Sequence, residues 1–143
     1  MFDNILVVCV GNICRSPMGE VLLRDALPRR SVSSAGIAAL VGEPADPQTL
    51  AVLPELRTVL DMHRARQLTS ELCRSADLIL VMESGHKRAI ESIDPSARGK
   101  IYRWGEWAGF DIPDPYRRPQ AAFEQALTLI RQGLNLWLPK LKG

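Results

Sequence analysis

Two residues near the N-terminus have types and a spacing that suit phosphate chemistry. Cys9 and Arg15 lie in the segment Cys-Val-Gly-Asn-Ile-Cys-Arg-Ser, residues 9–16. A cysteine thiolate is a strong nucleophile, and an arginine guanidinium donates two parallel hydrogen bonds to two oxygens of one phosphate group. The pair therefore predicts a site in which a cysteine attacks a bound phosphoryl group.

The residues around this segment predict a strand before it and a helix after it. The nearly continuous apolar run from Asn4 to Cys9 is typical of a strand buried on both faces of a parallel sheet. Ser16 and Pro17 indicate a helix start, with the serine as N-cap and the proline in the first turn. Backbone N–H groups between a strand and a helix N-terminus stabilise an anion, and the same positive field favours the thiolate form of Cys9.

The loop composition agrees with an anion site. Gly11 and Asn12 are residue types that tolerate the left-handed backbone that such a loop requires. A plainer interpretation makes Cys9 a small core residue and Arg15 a surface charge, but the flanking strand and helix start favour chemistry. Besides Cys9 and Arg15, the predicted phosphate-binding loop contains Val10, Gly11, Asn12, Ile13, Cys14 and Ser16.

The rest of the chain alternates predicted strands with predicted helices. Strands are expected at 32–36, 77–82 and 100–103, and helices at 47–60, at 84–93 and from Pro119 onward, with a kink at Pro54. This order predicts an α/β fold, a doubly wound and mainly four-stranded parallel sheet with helices on both faces. Cys9 then lies at the carboxyl edge of the sheet, where such folds bind ligands, and residues 105–119 form one functional loop.

Composition narrows the class of protein. With 143 residues and 46% hydrophobic content, the chain is expected to form a single domain over residues 1–143. A net charge of +2, from 18 basic and 16 acidic residues, gives no basic footprint for nucleic acid. The N-terminus has no basic segment, and its apolar run is too short to enter a membrane, so we expect a cytoplasmic protein with no membrane insertion. An odd number of cysteines, three, then indicates reduced thiols.

Several segments resemble the low-molecular-weight protein tyrosine phosphatases. Residues 6–17, Leu-Val-Val-Cys-Val-Gly-Asn-Ile-Cys-Arg-Ser-Pro, are similar to the phosphate-binding signature of that family, and residues 114–116, Asp-Pro-Tyr, are similar to its distant acid motif. Residues 33–36, 63–67 and 77–82 also fall where the family has similar segments, so the likeness covers essentially the whole chain. Asn12 and Cys14 separate this family from phosphatases that share only the cysteine and the arginine.

The resemblance implies three catalytic residues. Cys9 is implied as the nucleophile, Arg15 as the clamp on the phosphate and the transition state, and Asp114 as the general acid for the leaving phenolate. Asp114 then acts as the base for the water that hydrolyses the cysteinyl phosphate. Apart from the resemblance, an aspartate before a proline is an ordinary turn residue.

The resemblance also implies residues that support the loop. Asn12, Ser16, Ser34 and His63 are expected to hold the loop by hydrogen bonds and to stabilise the thiolate. Apart from the resemblance, His63 is an ordinary surface or partly buried histidine. His86 is expected on the surface.

The expected substrate cleft departs from many family members. Tyr116 is followed by Arg117 and Arg118 instead of a second aromatic residue, and Leu40 stands where several relatives have an aromatic. Leu40, Tyr116 and Arg117 are similar to a bacterial subgroup associated with tyrosine kinases of exopolysaccharide and capsule export. The resemblance therefore implies a phosphotyrosine-rich segment of such a membrane-associated kinase as the substrate, attracted in part by the two arginines.

Three other functions remain open at this point. A thioredoxin-coupled arsenate reductase has a similar loop but needs a relay of further cysteines, and only Cys73 is available. A phosphocysteine carrier module needs no acid such as Asp114. A metal site is disfavoured because Cys9 and Cys14 have no matching second pair of ligands, so we expect no metal and no cofactor.

The remaining cysteines have different expected fates. Cys14 shares the loop with Cys9, and we hypothesise that oxidation joins the two in a reversible disulfide that protects the nucleophile. Cys73 is expected to be a small buried residue.

Overall fold

A four-stranded parallel sheet forms the centre of the molecule. The structure is a computed structural model, and it describes residues 2–142. The sheet order is β2-β1-β3-β4, with strands β1 (Asn4–Cys9), β2 (Ser31–Gly36), β3 (Leu78–Val81) and β4 (Ile101–Arg103). All three strand pairs are parallel. The predicted doubly wound α/β fold is confirmed, and each predicted strand is present within one residue of its expected limits.

Six α-helices accompany the sheet in the described part of the chain. They are α1 (Arg15–Ala26), α2 (Pro47–Val52), α3 (Arg57–Leu60), α4 (Ser70–Ser75), α5 (His86–Ile93) and α6 (Gln120–Leu141), with 3-10 turns at Pro54–Leu56 and Pro95–Ala97. The prediction of one helix over 47–60 is wrong in its continuity, because Pro54 ends α2 and begins a 3-10 turn. Helix α4 was not predicted, since its six residues are too short to show a helical repeat.

The two faces of the sheet carry separate apolar cores. Ile5, Val7 and Cys9 of β1 point into the core that packs against α1 and α6. Leu6 and Val8 point into the opposite core, which contains Cys73 of α4 and Ile90 of α5. This alternation is the two-residue period of a strand covered on both faces, and it explains why the sequence of β1 is continuously apolar.

Helix α6 closes one core over Trp104. The Trp104 indole donates a hydrogen bond to the carbonyl of Ile130 at 2.7 Å, and Trp137 donates to the carbonyl of Trp104 at 3.0 Å. Gly133 allows this close approach, since a Cβ there would lie 2.5 Å from Trp104 Cδ1. Within residues 2–142, no helix, α6 included, combines the length and the apolar character that crossing a bilayer requires.

We predict that Gly133→Ala lowers the free energy of unfolding by about 2–4 kcal/mol, because helix α6 must move off Trp104 to admit the methyl group. In an open helix the same change would be stabilising by about 0.5–1 kcal/mol. Urea unfolding followed by tryptophan fluorescence measures the difference.

The matched control is Gly85→Ala, where no atom lies within 4 Å of the added methyl group and φ is −64°. This variant should stay within about 0.5 kcal/mol of the parent chain. Equal stabilities of the two variants would contradict the close packing of α6 on Trp104.

Candidate active site

The loop between β1 and α1 turns its carbonyl groups outward. The carbonyls of residues 9–13 accept hydrogen bonds of 2.6–3.0 Å from donors outside the loop, namely the amides of Ile37, Ala38, Leu40 and Asp46 and the ring of His63. In a trans peptide the following N–H points away from the carbonyl, so the amides of residues 10–14 face the centre of the loop. Within residues 2–142, none of the amides 10–15 donates to a protein acceptor. The loop is therefore a ring of free donors that suits an oxyanion.

Asn12 holds this ring in shape. Its φ of 61° is left-handed, which asparagine tolerates better than most residues. Its side-chain oxygen accepts from the amide of Arg66 at 2.9 Å, so its amide nitrogen is directed at Ser16 Oγ, 2.8 Å away, and Ser34 Oγ, 3.0 Å away. His63 Nε2 lies 2.6 Å from the Asn12 carbonyl and must donate to it. The structure thus brings Ser16, Ser34 and His63 together around one residue.

Ser16 serves the cysteine instead of the helix. The prediction that it caps α1 is wrong, because Cys14 occupies the N-cap position and no side chain caps this end. Ser16 Oγ lies 2.9 Å from Cys9 Sγ. Since Asn12 already donates to the Ser16 oxygen, the hydroxyl proton is available to the sulfur. A hydroxyl donor at this distance stabilises a thiolate.

Arg15 is buried beside the loop with its guanidinium group in a fixed position. Its Nη1 donates to Glu83 Oε2 at 2.6 Å and to the carbonyl of Ile112 at 2.8 Å, and its Nη2 lies 3.7 Å from Asp114 Oδ2. The buried Nε has no acceptor among the described residues. Arg15 therefore keeps donor capacity for a bound anion while three groups orient it.

Glu83 and His86 also belong to this arrangement, although no sequence motif predicts a role for either residue. The expectation that His86 lies on the surface is wrong: its side chain is 12% exposed, and its Nε2 lies 3.5 Å from Glu83 Oε2. Burial, followed by the positive charge of Arg15, lowers the pKa of His86. The imidazole is therefore neutral at neutral pH and leaves the Glu83 charge to Arg15. Glu83 lies just beyond β3, at the carboxyl edge of the sheet, and this position was the one available signal.

A cleft opens above the loop. It is lined by Cys9, the loop backbone, Ala38, Leu40, Asp114 and Tyr116. Asp114 is about half exposed, and its Oδ1 accepts from the amide of Tyr116 at 3.0 Å. Arg117 does not line the cleft directly and lies 5.2 Å above the Tyr116 ring. The cleft thus has an apolar entrance with a carboxylate beside it and positive charge at one rim.

The other two thiols differ from Cys9 in their surroundings. Burial, with the carboxylate of Asp46 as a further cause, raises the pKa of the Cys14 thiol far above its ordinary value. Burial likewise raises the pKa of Cys73, which packs in the core on the opposite face of the sheet from Cys9. Both stay protonated at neutral pH, so Cys9 is the cysteine suited to nucleophilic attack.

Glu20, Arg24 and Arg66 surround Ser34, and no sequence motif predicts their place at the loop. Glu20 accepts a hydrogen bond from Ser34 Oγ and also pairs with Arg24. The Arg66 side chain donates to the Ser34 carbonyl at 2.8 Å. No local motif identifies such partners, because they lie on separate elements.

In the described part of the chain, no group of three or more His, Cys, Asp or Glu residues is arranged to hold a metal ion.

Comparison with known proteins gives consistent matches over the full length. The family model "Low molecular weight phosphotyrosine protein phosphatase" matches residues 4–143. The probable low molecular weight protein-tyrosine-phosphatase EpsP of Ralstonia solanacearum is 51% identical over 143 residues, which cover all of this chain and 99% of the relative.

Two solved structures have the same fold. Vibrio vulnificus Wzb in complex with benzylphosphonate is 50% identical, with a TM-score of 0.92, and the match covers 98% of this chain and 99% of that one. The tyrosine phosphatase Wzb from Escherichia coli K30 in complex with sulphate is 46% identical, with a TM-score of 0.94 and 99% coverage of both chains.

We predict that Asn12→Ala lowers the free energy of unfolding by about 3 kcal/mol, because three hydrogen bonds are lost and alanine is strained at this φ. Asn12→Gly should recover about 1 kcal/mol of this loss by removing the strain alone. Both variants should bind phosphate more weakly. Urea unfolding with and without phosphate measures both effects.

Asn135→Ala, at an exposed position of α6, is the control and should change neither quantity. If Asn12→Ala matches the parent chain in stability and phosphate affinity, Asn12 does not organise the loop.

Proposed function

The chain belongs to the low molecular weight phosphotyrosine protein phosphatase family and is a protein-tyrosine phosphatase, and on this premise we propose that Cys9, Arg15 and Asp114 carry out the reaction. The observation that supports this assignment best is the loop itself. Its carbonyls point outward, its amides are free, and Arg15 and Asp114 lie 3.7 Å apart beside it. These groups line or adjoin the cleft over Cys9, and this arrangement supports binding of a phosphoryl group opposite Cys9 Sγ.

In the first step, the Cys9 thiolate attacks phosphorus and the bond from phosphorus to the tyrosine oxygen breaks. The loop amides and Arg15 stabilise the charge that spreads over the three equatorial oxygens. Asp114 in its protonated form gives its proton to the departing phenolate, so that neutral tyrosine leaves. The half-exposed position of Asp114 at the entrance suits contact with the leaving group.

In the second step, water attacks the cysteinyl phosphate. Asp114, now a carboxylate, takes a proton from the water as the new phosphorus–oxygen bond forms. The sulfur–phosphorus bond breaks, and Cys9 returns as a thiolate that Ser16 stabilises from 2.9 Å. Phosphate leaves, and Asp114 is again protonated for the next cycle.

Two alternatives from the sequence have less support. A cysteine relay of the arsenate reductase type would need Cys73 near the loop, but Cys73 packs on the opposite face of the sheet. A phosphocysteine carrier needs no acid in the cleft over Cys9, and Asp114 lines that cleft.

For the physiological substrate, we propose a phosphotyrosine-rich segment of a membrane-associated bacterial tyrosine kinase that controls exopolysaccharide or capsule production. We propose that the protein acts on this substrate in the cytoplasm. Leu40 and Tyr116 leave an apolar entrance for a phenyl ring, and Arg117 and Arg118 are exposed beside it. Neighbouring phosphates on such a segment are multiply charged, so the two arginines favour it. The proposal rests on this charge pattern together with the resemblance to the exopolysaccharide subgroup.

We predict that Cys9→Ser reduces the hydrolysis of p-nitrophenyl phosphate and of a phosphotyrosine peptide to background, since the nucleophile is lost. Asp114→Asn should lower kcat by about 10²–10⁴-fold for the peptide and less for p-nitrophenyl phosphate, whose leaving group needs little protonation. Steady-state phosphate release measures both.

Asp25→Asn, at an exposed position of α1, removes a carboxylate elsewhere and should leave both rates unchanged. Full turnover in Cys9→Ser would contradict the proposed mechanism. An equal fall in kcat for the two substrates in Asp114→Asn would show that Asp114 is not the general acid. Stable phosphocysteine without phosphate release would favour a carrier.

We further predict that Arg117→Gln combined with Arg118→Gln raises KM for a peptide with several phosphotyrosines by about threefold to tenfold at low salt. KM for p-nitrophenyl phosphate should change less, because that substrate has no neighbouring phosphates. The difference should shrink as salt is added. Arg88→Gln, which removes an exposed charge from α5, is the matched control, and an equal effect there would argue against recognition by the two arginines.

A further inference from the structure

A second cavity adjoins the residues that hold Asn12. It has a volume of about 300 Å³ and shares no lining residue with the cleft over Cys9. Its wall contains three arginines, Arg24, Arg64 and Arg66, together with His63 and Ser34. Such a concentration of donors on a concave surface suits an anion.

The positive charge of this cavity is only partly compensated. Glu20 is the one carboxylate in the wall, and it pairs with Arg24. Within residues 2–142, neither Arg64 nor Arg66 forms an ion pair with a carboxylate. Arg64 donates to the carbonyls of Asp61 and His63, and Arg66 donates to the carbonyl of Ser34. These are neutral acceptors, so two guanidinium charges remain for a ligand.

The edge of the cavity is apolar. Val59 and Met62 line it and are 40% and 79% exposed, so the edge offers apolar surface to a ligand. A free inorganic anion would make no apolar contact with this edge. A phosphorylated aromatic side chain would use both parts of the cavity, because its phosphate can bind Arg64 and Arg66 while its ring packs on Val59 and Met62.

The wall of the cavity is also the support of the catalytic loop. Ser34, His63 and Arg66 line the cavity, and all three bond to Asn12. An anion near Arg66 competes with the Ser34 carbonyl for the guanidinium group. The His63 ring lines the same cavity and donates to the Asn12 carbonyl, so an anion bound beside the ring also acts on that hydrogen bond. Occupancy of the cavity therefore changes the bonds that fix the left-handed residue of the loop.

We propose that this cavity is a second binding site for a phosphotyrosine side chain, and that its occupancy acts on the phosphate-binding loop through Asn12. The binding part stands independently of the reaction at Cys9, whereas the effect on turnover rests on the proposed function. A substrate with several phosphotyrosines would then occupy the cavity with one residue while another reaches the cleft of the same or another molecule.

The test is a titration of the ¹⁵N-labelled full chain with a peptide carrying phosphonomethylphenylalanine, which cannot be hydrolysed. The side-chain Nε–Hε signal of Arg66 and the ring signals of His63 report the cavity, and the amides of Val10 and Gly11 report the cleft. We expect two different midpoints. Arg64→Gln should raise the peptide concentration at the cavity midpoint by about threefold to tenfold and should shift the cleft midpoint much less.

Arg57→Gln is the matched control, because Arg57 is exposed and paired with Asp61 but does not line the cavity. A single midpoint for all signals, or equal effects of Arg64→Gln and Arg57→Gln, would overturn the proposal. Inorganic phosphate is titrated in a second arm. If it binds the cavity as tightly as the phosphonate peptide, the aromatic part of the proposal is wrong and the product of the reaction is the ligand.

Turnover of p-nitrophenyl phosphate with and without the phosphonate peptide tests the effect on the loop. In the parent chain, kcat should change with cavity occupancy, and in Arg64→Gln this change should be lost while the rate without peptide is kept. A kcat that is insensitive to occupancy in the parent chain would overturn the coupling. Failure of the catalytic mechanism is a separate result, since turnover retained by Cys9→Ser leaves the midpoints of this titration as they are.

Discussion

The hydrogen bonds of the Asn12 side chain are the constraint on which the site depends. A loop that presents a ring of free amides has no internal hydrogen bonds to hold it, and one of its residues is left-handed. Asn12 supplies what the loop lacks by joining it to Ser16, Ser34 and Arg66. Because these partners come from α1, β2 and the segment before α4, the shape of the loop is fixed by the whole sheet edge.

The buried charge of Arg15 is likewise held in place by partners from other elements. Arg15 is a buried cation, and a buried charge is costly unless it is paired and hydrogen-bonded. Glu83 and the Ile112 carbonyl meet that need from one side. The guanidinium group is thus already oriented, so in the proposed reaction little reorganisation is needed in the transition state. The neutral imidazole of His86, with its pKa lowered by burial, leaves this pairing intact.

The support of the loop has consequences beyond the reaction. Ser34, His63 and Arg66 line the second cavity and bond to Asn12, the first two through their side chains and Arg66 through its backbone amide. The support of the loop and the proposed second site therefore share residues. Because residues that support the loop line this cavity, a ligand bound in the cavity contacts the support of the loop directly. Regulation of the loop through its supporting residues therefore needs no large movement of the sheet.

The sequence by itself determined the strands and predicted Cys9 and Arg15 as the pair suited to phosphate chemistry. Continuous apolar runs such as Asn4–Cys9 are a local signal, and Cys9 and Arg15 lie on one loop. The resemblance to a family added Asp114, Ser34 and His63, which no local pattern distinguishes from turn or surface residues. Only the tertiary structure assigned Ser16 to Cys9 instead of the helix end. It also left His86 mostly buried and brought Glu83, Ile112 and Arg66 to the site. The physical reason is that such contacts join residues far apart in the chain, so they exist only after parallel strands bring their carboxyl ends to one edge.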